Sequence, residues 1–144
     1  CFCNMAQFKQ YKLGFDRMFH VLEISDEAAR VQQAAIDAQQ AAIAAIRPGV
    51  TAEQVAAAAN EVYAERGYET GYRTGRSIGM AYLESPELKQ GDKTVLQPGM
   101  TFAVDGGISV DGEFGGRIGD SIVVTETGCE YLTDYPRQIF IVEK

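Results

Sequence analysis

The sequence lacks any apolar run approaching the roughly 20 residues that a membrane-spanning helix requires, and no secretory signal is visible. Basic residues are also scarce. Thirteen Lys and Arg stand against 20 Asp and Glu, which gives a net charge of −7, and the basic residues form no cluster. Nucleic acid and anionic membranes are therefore poor partners for this chain.

Cysteine and histidine, which often serve as metal ligands, are rare. Cys1, Cys3 and Cys129 are an odd number, with no second Cys-x-x-Cys or His pair nearby. Cys1 and Cys3 would point to one face of a strand, where a metal clip is conceivable. The favoured interpretation is that the three cysteines are buried or unreactive free thiols in a reducing cytoplasm. The single histidine, His20, is interpreted as a solvated or core-edge side chain at a strand end rather than a catalytic one.

The 144 residues are 46% hydrophobic, which is typical of one folded domain with a real core. The chain opens in strand-like sequence at Cys1 rather than at an initiator methionine. We therefore expect it to be a piece of a longer protein.

Two helices are predicted in the first half of the chain. Ser25 is the expected cap of a long alanine-rich helix that ends at Arg47-Pro48-Gly49, because proline cannot extend it. Thr51 opens the second helix with a TAEQ capping box, and Gly67 ends it. Apolar stripes at helical spacing would face a sheet; they comprise Ile36, Ile43 and Ile46 in the first helix and Val55, Ala59 and Val62 in the second.

Strand-like segments flank the helix pair. Two strands are predicted before it, roughly 2–13 and 15–22, with a break at Gly14. After the helices, 100–108, 116–126 and 137–143 are expected to be strands, while 85–99 is expected to be a polar loop. This order indicates an α+β fold rather than a doubly wound sheet.

Five motifs in order resemble one enzyme family over about residues 7–137. They are RPGVTAEQV, the TG-x-S-IG loop, TVLQPGMTFAVDGG, GGRIGDSIVVTETGCEYLT and the final YPR. Together they resemble the pita-bread-fold enzymes, which include methionine aminopeptidase, aminopeptidase P, prolidase and creatinase. The creatinase and ectoine-hydrolase branch is the most similar.

The resemblance implies a curved antiparallel sheet covered by two helices, with the site in the concavity. Residues 1–144 would form the C-terminal part of such a catalytic domain. The family often dimerises, so a homodimer is expected. A cytoplasmic location and a small-molecule or dipeptide-like substrate follow from the same resemblance.

The family's dinuclear metal site needs hard anionic ligands, and the matching positions depart from that pattern. The second ligand aspartate falls near Gln7, and the loop histidine falls on Arg76. One ligand glutamate falls on Asp105, and the last falls on Gly119. Because a guanidinium cannot ligate a cation and would repel one, no dinuclear metal and no other cofactor is predicted.

The resemblance brings one polar cluster to the concavity. Its members are Arg73, Arg76, Asp105, Arg117 and Asp120. Arg76 and Asp105 are predicted to be catalytic, with Asp105 handling a proton and Arg76 binding a substrate carboxylate. Arg73, Arg117, Asp120 and Ser77 are the predicted substrate-binding residues. A structural ion-pair network at Arg76 and Asp105 is an equally supported alternative, and the favoured role of the Ser77 hydroxyl is a bond to local backbone.

Two functions remain open at this level. The first is a metal-independent hydrolase of a small amide, amidine or X-Pro dipeptide-like substrate, favoured by the glycines that keep space around the site. The second is an inactive pita-bread domain that serves as a ligand-binding or dimerisation module.

Overall fold

The computed structural model describes residues 1–69 and 72–143, and of Asn4 the backbone alone. The helices are α1 (Asp26–Ala45) and α2 (Ala52–Glu65). The strands are β1 (Phe2–Phe8), β2 (Tyr11–Arg17), β3 (Phe19–Val21), β4 (Gly75–Ser77), β5 (Glu84–Leu88), β6 (Thr101–Val110), β7 (Phe114–Val124), β8 (Cys129–Tyr131) and β9 (Phe140–Val142). No helix among the described residues is long and apolar enough to cross a membrane.

Both predicted helix starts are confirmed. The Ser25 side chain accepts a hydrogen bond from the Ala28 amide, which caps α1. Thr51 and Gln54 form the reciprocal capping box of α2, in which each side chain bonds the other residue's backbone amide. Such caps stabilise a helix by about 1 kcal/mol, because they satisfy amides that have no partner inside the helix.

The helices pack on one face of the sheet through the predicted apolar stripes. Ile36, Ile43, Ile46, Val55 and Ala59 are buried, and Val62 is half-buried against the same core. Their partners on the strands include Val104 of β6 and Ile122 of β7. Each fully buried side chain of this size contributes about 1.5–3 kcal/mol relative to exposure, so this layer holds the fold together.

The main sheet has the order β1-β2-β7-β6-β4-β5, with β8 added beside β7. The strands of this sheet pair antiparallel, and the central β6–β7 ladder aligns Asp105 with Gly119 and Gly107 with Arg117. Side chains alternate between the two faces of a strand. One face therefore meets the helices, while the other face carries Asp105 and Arg117.

The predicted strand break at Gly14 is wrong. β2 continues through Gly14, and the turn lies at Lys9 and Gln10 instead. The Gly14 amide and carbonyl both bond the Ser121 hydroxyl, at 2.9 Å and 2.8 Å. An added Cβ would lie 3.3 Å from the Ala103 Cβ. The glycine therefore marks a close approach within the sheet rather than a turn.

The later strands are confirmed apart from one segment. β6, β7 and β9 fall on the predicted ranges, but β5 forms inside the segment expected to be a loop, where it pairs with β4. β9 pairs parallel with β3, which places His20 opposite Ile141. Burial lowers the pKa of His20, and this residue lies in the small two-stranded sheet rather than in the main one.

Candidate active site

The side chain of Arg76 is fixed between two acceptors on the face of the sheet opposite the helices. Its Nε donates to the Tyr82 carbonyl at 2.9 Å, and its Nη1 donates to Asp105 Oδ2 at 2.5 Å. The β4–β6 register pairs Arg76 with Ala103. Asp105 follows Ala103 by two residues and therefore shares its face, so strand alternation brings the arginine and the carboxylate together.

The carboxylate of Asp105 is the buried centre of this cluster. Its side chain is 6% exposed and also lies 3.8 Å from Nη2 of Arg117. Burial raises the pKa of Asp105, although the guanidiniums of Arg76 and Arg117 oppose that rise. A desolvated carboxyl held by fixed donors is suited to moving a proton.

The second carboxylate of the cluster, Asp16, was missed by sequence reasoning. Its Oδ2 accepts from Arg117 Nε at 2.7 Å. The β2–β7 pairing aligns Asp16 with Gly119, which in turn faces Asp105. The sequence showed only that Asp16 lies two residues after Gly14 in a predicted strand. The order of the strands in the sheet was needed to show that its side chain lies beside Arg117.

Two acids surround the guanidinium of Arg117. Burial alone would lower the pKa of Arg117, but the charges of Asp105 and Asp16 raise it overall. Its side chain is 34% exposed. Arg117 is therefore the cation of the cluster that solvent and small solutes reach most easily.

Gly119 lies under both carboxylates. A Cβ added there would be 2.9 Å from Asp105 Oδ1 and 2.9 Å from Asp16 Oδ2. Real Cβ atoms do not approach other atoms so closely. The missing side chain at this position is what allows the two acids to pack against the strand.

Tyr63 and Arg73 line a small cavity of about 20 Å³ beside Asp105 and Arg117. Arg73 is paired with Glu87 at 3.0 Å and borders the cluster through this cavity. The Tyr63 hydroxyl accepts from the Gly107 amide at 2.9 Å, and burial raises the pKa of Tyr63. Its position on the buried stripe of α2 gave no sequence signal of a role at the site.

The expectation that Asp120 shares a concavity with Asp105 is wrong. Asp120 alternates with Gly119 on β7 and is fully buried on the helix side. Its oxygens accept from four side chains, which are Arg17, Gln39, Thr133 and Arg137. This saturated environment is that of a structural ion-pair centre and leaves Asp120 out of the cluster around Asp105.

Ser77 also points away from the cluster. Its register partner on β6 is Phe102, a buried core residue, whereas Arg76 pairs with Ala103 on the opposite face. The Ser77 hydroxyl donates to the Thr101 carbonyl at 3.2 Å. The hydroxyl therefore bonds backbone, as expected, but the carbonyl belongs to the neighbouring strand β6 rather than to its own loop.

Gln7 does not lie at the cluster, so the sequence-based match of a ligand position to this residue is wrong. Gln7 is exposed near the end of β1, where its side chain bonds the Lys9 carbonyl and the Lys12 amine. The β1–β2 register instead places Cys3 opposite Asp16. Gln7 lies opposite Lys12 near the turn of this hairpin, so the strand register keeps it away from Asp16.

A cleft of about 680 Å³ opens beside the cluster. Its lining includes Gly107, Ser109, Gly115, Gly116 and Arg117, and the Cys1 and Met18 side chains stand on its border. Arg117 lines both this cleft and the small cavity at Asp105. Arg117 is therefore the residue of the cluster that a small solute in the cleft would contact.

The side chains present do not fit a dinuclear metal centre. Within residues 1–69 and 72–143, no three His, Cys, Asp or Glu side chains are grouped so as to hold a metal ion. Asp105 is already bound by Arg76, and Asp16 is already bound by Arg117. Two permanent cations therefore stand beside the carboxylates that a metal pair would need.

Comparisons with known proteins agree on the family. Residues 3–126 match the model of metallopeptidase family M24. The ectoine hydrolase of Halomonas elongata is 31% identical over 93% of this chain and 35% of its own length. The agropine synthesis cyclase of Rhizobium rhizogenes is 39% identical over 94% of this chain and 35% of its own length.

The solved structures confirm the pita-bread fold. The dipeptidase PepE from Mycobacterium ulcerans superimposes with a TM-score of 0.94 at 34% identity, covering 99% of this chain and 39% of that one. The chain spans between 25% and 39% of the length of curated relatives that it matches. By sequence and by fold, the chain belongs to the metallopeptidase family M24.

Proposed function

We propose that this chain supplies the active site of a hydrolase that cleaves a small amide, amidine or X-Pro dipeptide-like substrate without a dinuclear metal. One observation carries the proposal: the buried Asp105 carboxylate is held by Arg76 at 2.5 Å and faced by Arg117 at 3.8 Å. Two guanidiniums thus provide the positive charge beside the reacting carboxylate that metal ions would otherwise provide.

The three residues take distinct roles. Arg76 is a positioning residue, because its Nε and Nη1 are bound by Tyr82 and Asp105. Asp105 accepts a proton from the attacking water as the new C–O bond forms at the substrate carbon. It then returns that proton to the leaving nitrogen as the C–N bond breaks. Arg117 is more exposed and binds the substrate.

The names of three similar proteins support this class of substrate. Ectoine hydrolase and the agropine synthesis cyclase indicate chemistry on small molecules. PepE, with its 0.94 TM-score, indicates hydrolysis of dipeptides. The proposal extends those activities to this chain at the level of a small amide or amidine.

A substrate panel tests the activity. The full chain is incubated with X-Pro dipeptides, creatine-like and ectoine-like compounds, and products are identified by mass spectrometry. We expect hydrolysis of at least one compound, and a loss of about 100-fold or more in rate for Asp105→Asn. Arg66→Ala, which removes a surface ion pair with Asp37, is the matched control. If no compound of the panel is hydrolysed, or if Asp105→Asn keeps full activity, the proposal is rejected.

Metal independence has its own test. The purified protein is analysed for Mn, Co and Zn, dialysed against EDTA and assayed again. We expect far less than one metal ion per chain and no change in rate after chelation. Stoichiometric metal, or activity restored only by added metal, would disprove metal independence while leaving the hydrolase proposal standing.

One observation favours a second candidate, a ligand-binding or dimerisation module without catalysis. Both carboxylates of the cluster are already neutralised by arginines, as expected of an ion-pair network whose role is structural. The two candidates separate in one experiment: a compound that raises the melting temperature and is recovered unchanged identifies a binding module. Light scattering then reports whether the chain is a dimer.

A further inference from the structure

The central ladder of the sheet alternates glycine with polar residues on the face that carries the cluster. On that face β6 and β7 pair Asp105 with Gly119, Gly107 with Arg117, and Ser109 with Gly115. Each polar side chain therefore stands opposite a residue that has no side chain. The glycines leave a trough along the ladder, which opens into the cleft of about 680 Å³.

The glycines of the β6–β7 ladder, on its two faces, do not all have the same structural cause. A Cβ on Gly115 would meet the Ile108 carbonyl oxygen at 2.9 Å, and a Cβ on Gly116 would meet backbone of α1 at 2.8 Å. The fold itself therefore requires glycine at these two positions. Among residues 1–69 and 72–143, no such contact requires it at Gly107.

At Gly107 an added Cβ would find its nearest atoms at 3.9 Å, namely Arg117 Nη1 and the Gly116 carbonyl oxygen. Its φ lies outside the left-handed region that favours glycine. Glycine inside a strand weakens the strand. Because neither the packing of the described residues nor the backbone conformation demands glycine here, the open space above Gly107 requires a functional explanation.

Arg117 offers unused donors to that space. Its Nε is bound by Asp16, and Nη2 lies 3.8 Å from Asp105. Nη1 has no hydrogen-bond partner among the residues that the structure describes. It lies beside the position that a Gly107 side chain would fill. A planar guanidinium with free terminal donors is suited to bind a carboxylate through two parallel hydrogen bonds.

We propose that Arg117 and Gly107 form a carboxylate-binding subsite, in which Arg117 binds the anion and the bare backbone of Gly107 sets the size limit. The inference rests on the proposed function only in taking Asp105 as the reacting group. Gly107 follows Asp105 by two residues, about 7 Å along the strand. The carboxylate recognised by Arg117 therefore lies close to the scissile C–N bond, as in an N-acyl amino acid.

Calorimetric titration of the full chain tests the subsite with two matched probes. N-acetylglycine carries the carboxylate, and N-acetylglycinamide has the same size without the charge. We expect the acid to bind at least about tenfold more tightly than the amide, because the charged group gains two charge-assisted hydrogen bonds. Equal affinities, or no binding of the acid, would overturn the proposal.

The size limit is tested by filling the space above Gly107. Gly107→Val keeps a strand-compatible residue and is expected to weaken N-acetylglycine binding by about tenfold or more. Gly107→Ala is expected to give a smaller loss, and it carries the test if the valine variant does not fold. Gly128→Ala is the control, because a Cβ at Gly128 meets no atom of the described residues within 4 Å. Unchanged binding in a folded Gly107 variant would overturn the proposal.

Failure of this subsite and failure of the proposed function give different results. Acid-selective binding that Gly107→Val abolishes, with no hydrolysis, supports the subsite and rejects the hydrolase. Hydrolysis that proceeds equally for acid and amide, and equally in Gly107→Val, supports the hydrolase and rejects the subsite. Arg117→Lys adds a check, because a lysine keeps the charge but loses the planar pair of donors and should lose most of the preference for the acid.

Discussion

Arg76 Nη1 donates to Asp105 Oδ2 across 2.5 Å, and both side chains are largely shielded from solvent. The contact joins β4 to β6 on the face turned away from the helices. The contact is an ion pair between two side chains. The stability of the site therefore depends on arginine, whose charge does not titrate in the physiological range.

Arg76→Met is expected to destabilise the protein by about 3–5 kcal/mol, because it leaves the Asp105 carboxylate buried without its main partner. Urea unfolding measures the change. Arg66→Met is the matched control: the Arg66–Asp37 pair is much more exposed and should contribute less than about 1 kcal/mol. Equal losses for the two variants would contradict the buried-pair interpretation.

The stability of the protein should depend on pH through Asp105. Because burial raises the pKa of Asp105 in the folded state, the folded protein binds more protons than the unfolded chain above the ordinary value of about 3.9. The stabilisation from this group is complete below that value and is lost as the pH rises through the raised pKa. The unfolding free energy of the wild type minus that of Asp105→Asn should therefore fall with pH. A difference that rises with pH would show that the ion pairs dominate and lower the pKa.

Gly119→Ala is expected to cost about 1–3 kcal/mol, because its Cβ would press on Asp105 and Asp16 at 2.9 Å. Thermal or urea unfolding measures the loss, with Gly128→Ala as the control in open space. The same substitution should reduce activity by displacing the Asp105 carboxylate. A fully stable and active Gly119→Ala would mean that the two carboxylates move aside without cost.

Asp120→Asn is expected to destabilise the protein by about 3–5 kcal/mol, because Arg17 would remain buried without its countercharge. Thr133→Val is the control, since it removes a single hydrogen bond to Asp120 and should cost about 1–2 kcal/mol. Folded Asp120→Asn protein should retain substrate affinity, which is measured by calorimetry. If Asp120→Asn lost substrate affinity but not stability, Asp120 would belong to the substrate-binding site after all.

Local signals predicted the helices well. The Ser25 and Thr51 caps and the Pro48-Gly49 stop act within one helical turn, so the residues that define each helix end are neighbours in the sequence. The apolar stripe of α1 likewise follows from a single helical period. The strands were less certain, because a glycine such as Gly14 can mark a turn or a close approach within a sheet.

The site was predicted in part. Arg76, Asp105 and Arg117 meet on one face, while Ser77 and Asp120 lie on the other face of the same strands. Neighbouring residues of a strand point to opposite faces, and the motif alone did not show which face each residue takes. Gln7 was misplaced for a related reason, because the hairpin register sets it opposite Lys12 and not beside Asp16.

The sequence by itself determined the two helices and the α+β order, and it placed Arg76 and Gly119 at positions where the family resemblance implies metal ligands. These features depend on residue identity and on local or periodic patterns. Only the tertiary structure decided that Asp16 joins the cluster and that Asp120 leaves it, because both results depend on strand register. Strand pairing joins residues from distant parts of the chain, and no local pattern fixes which of them meet.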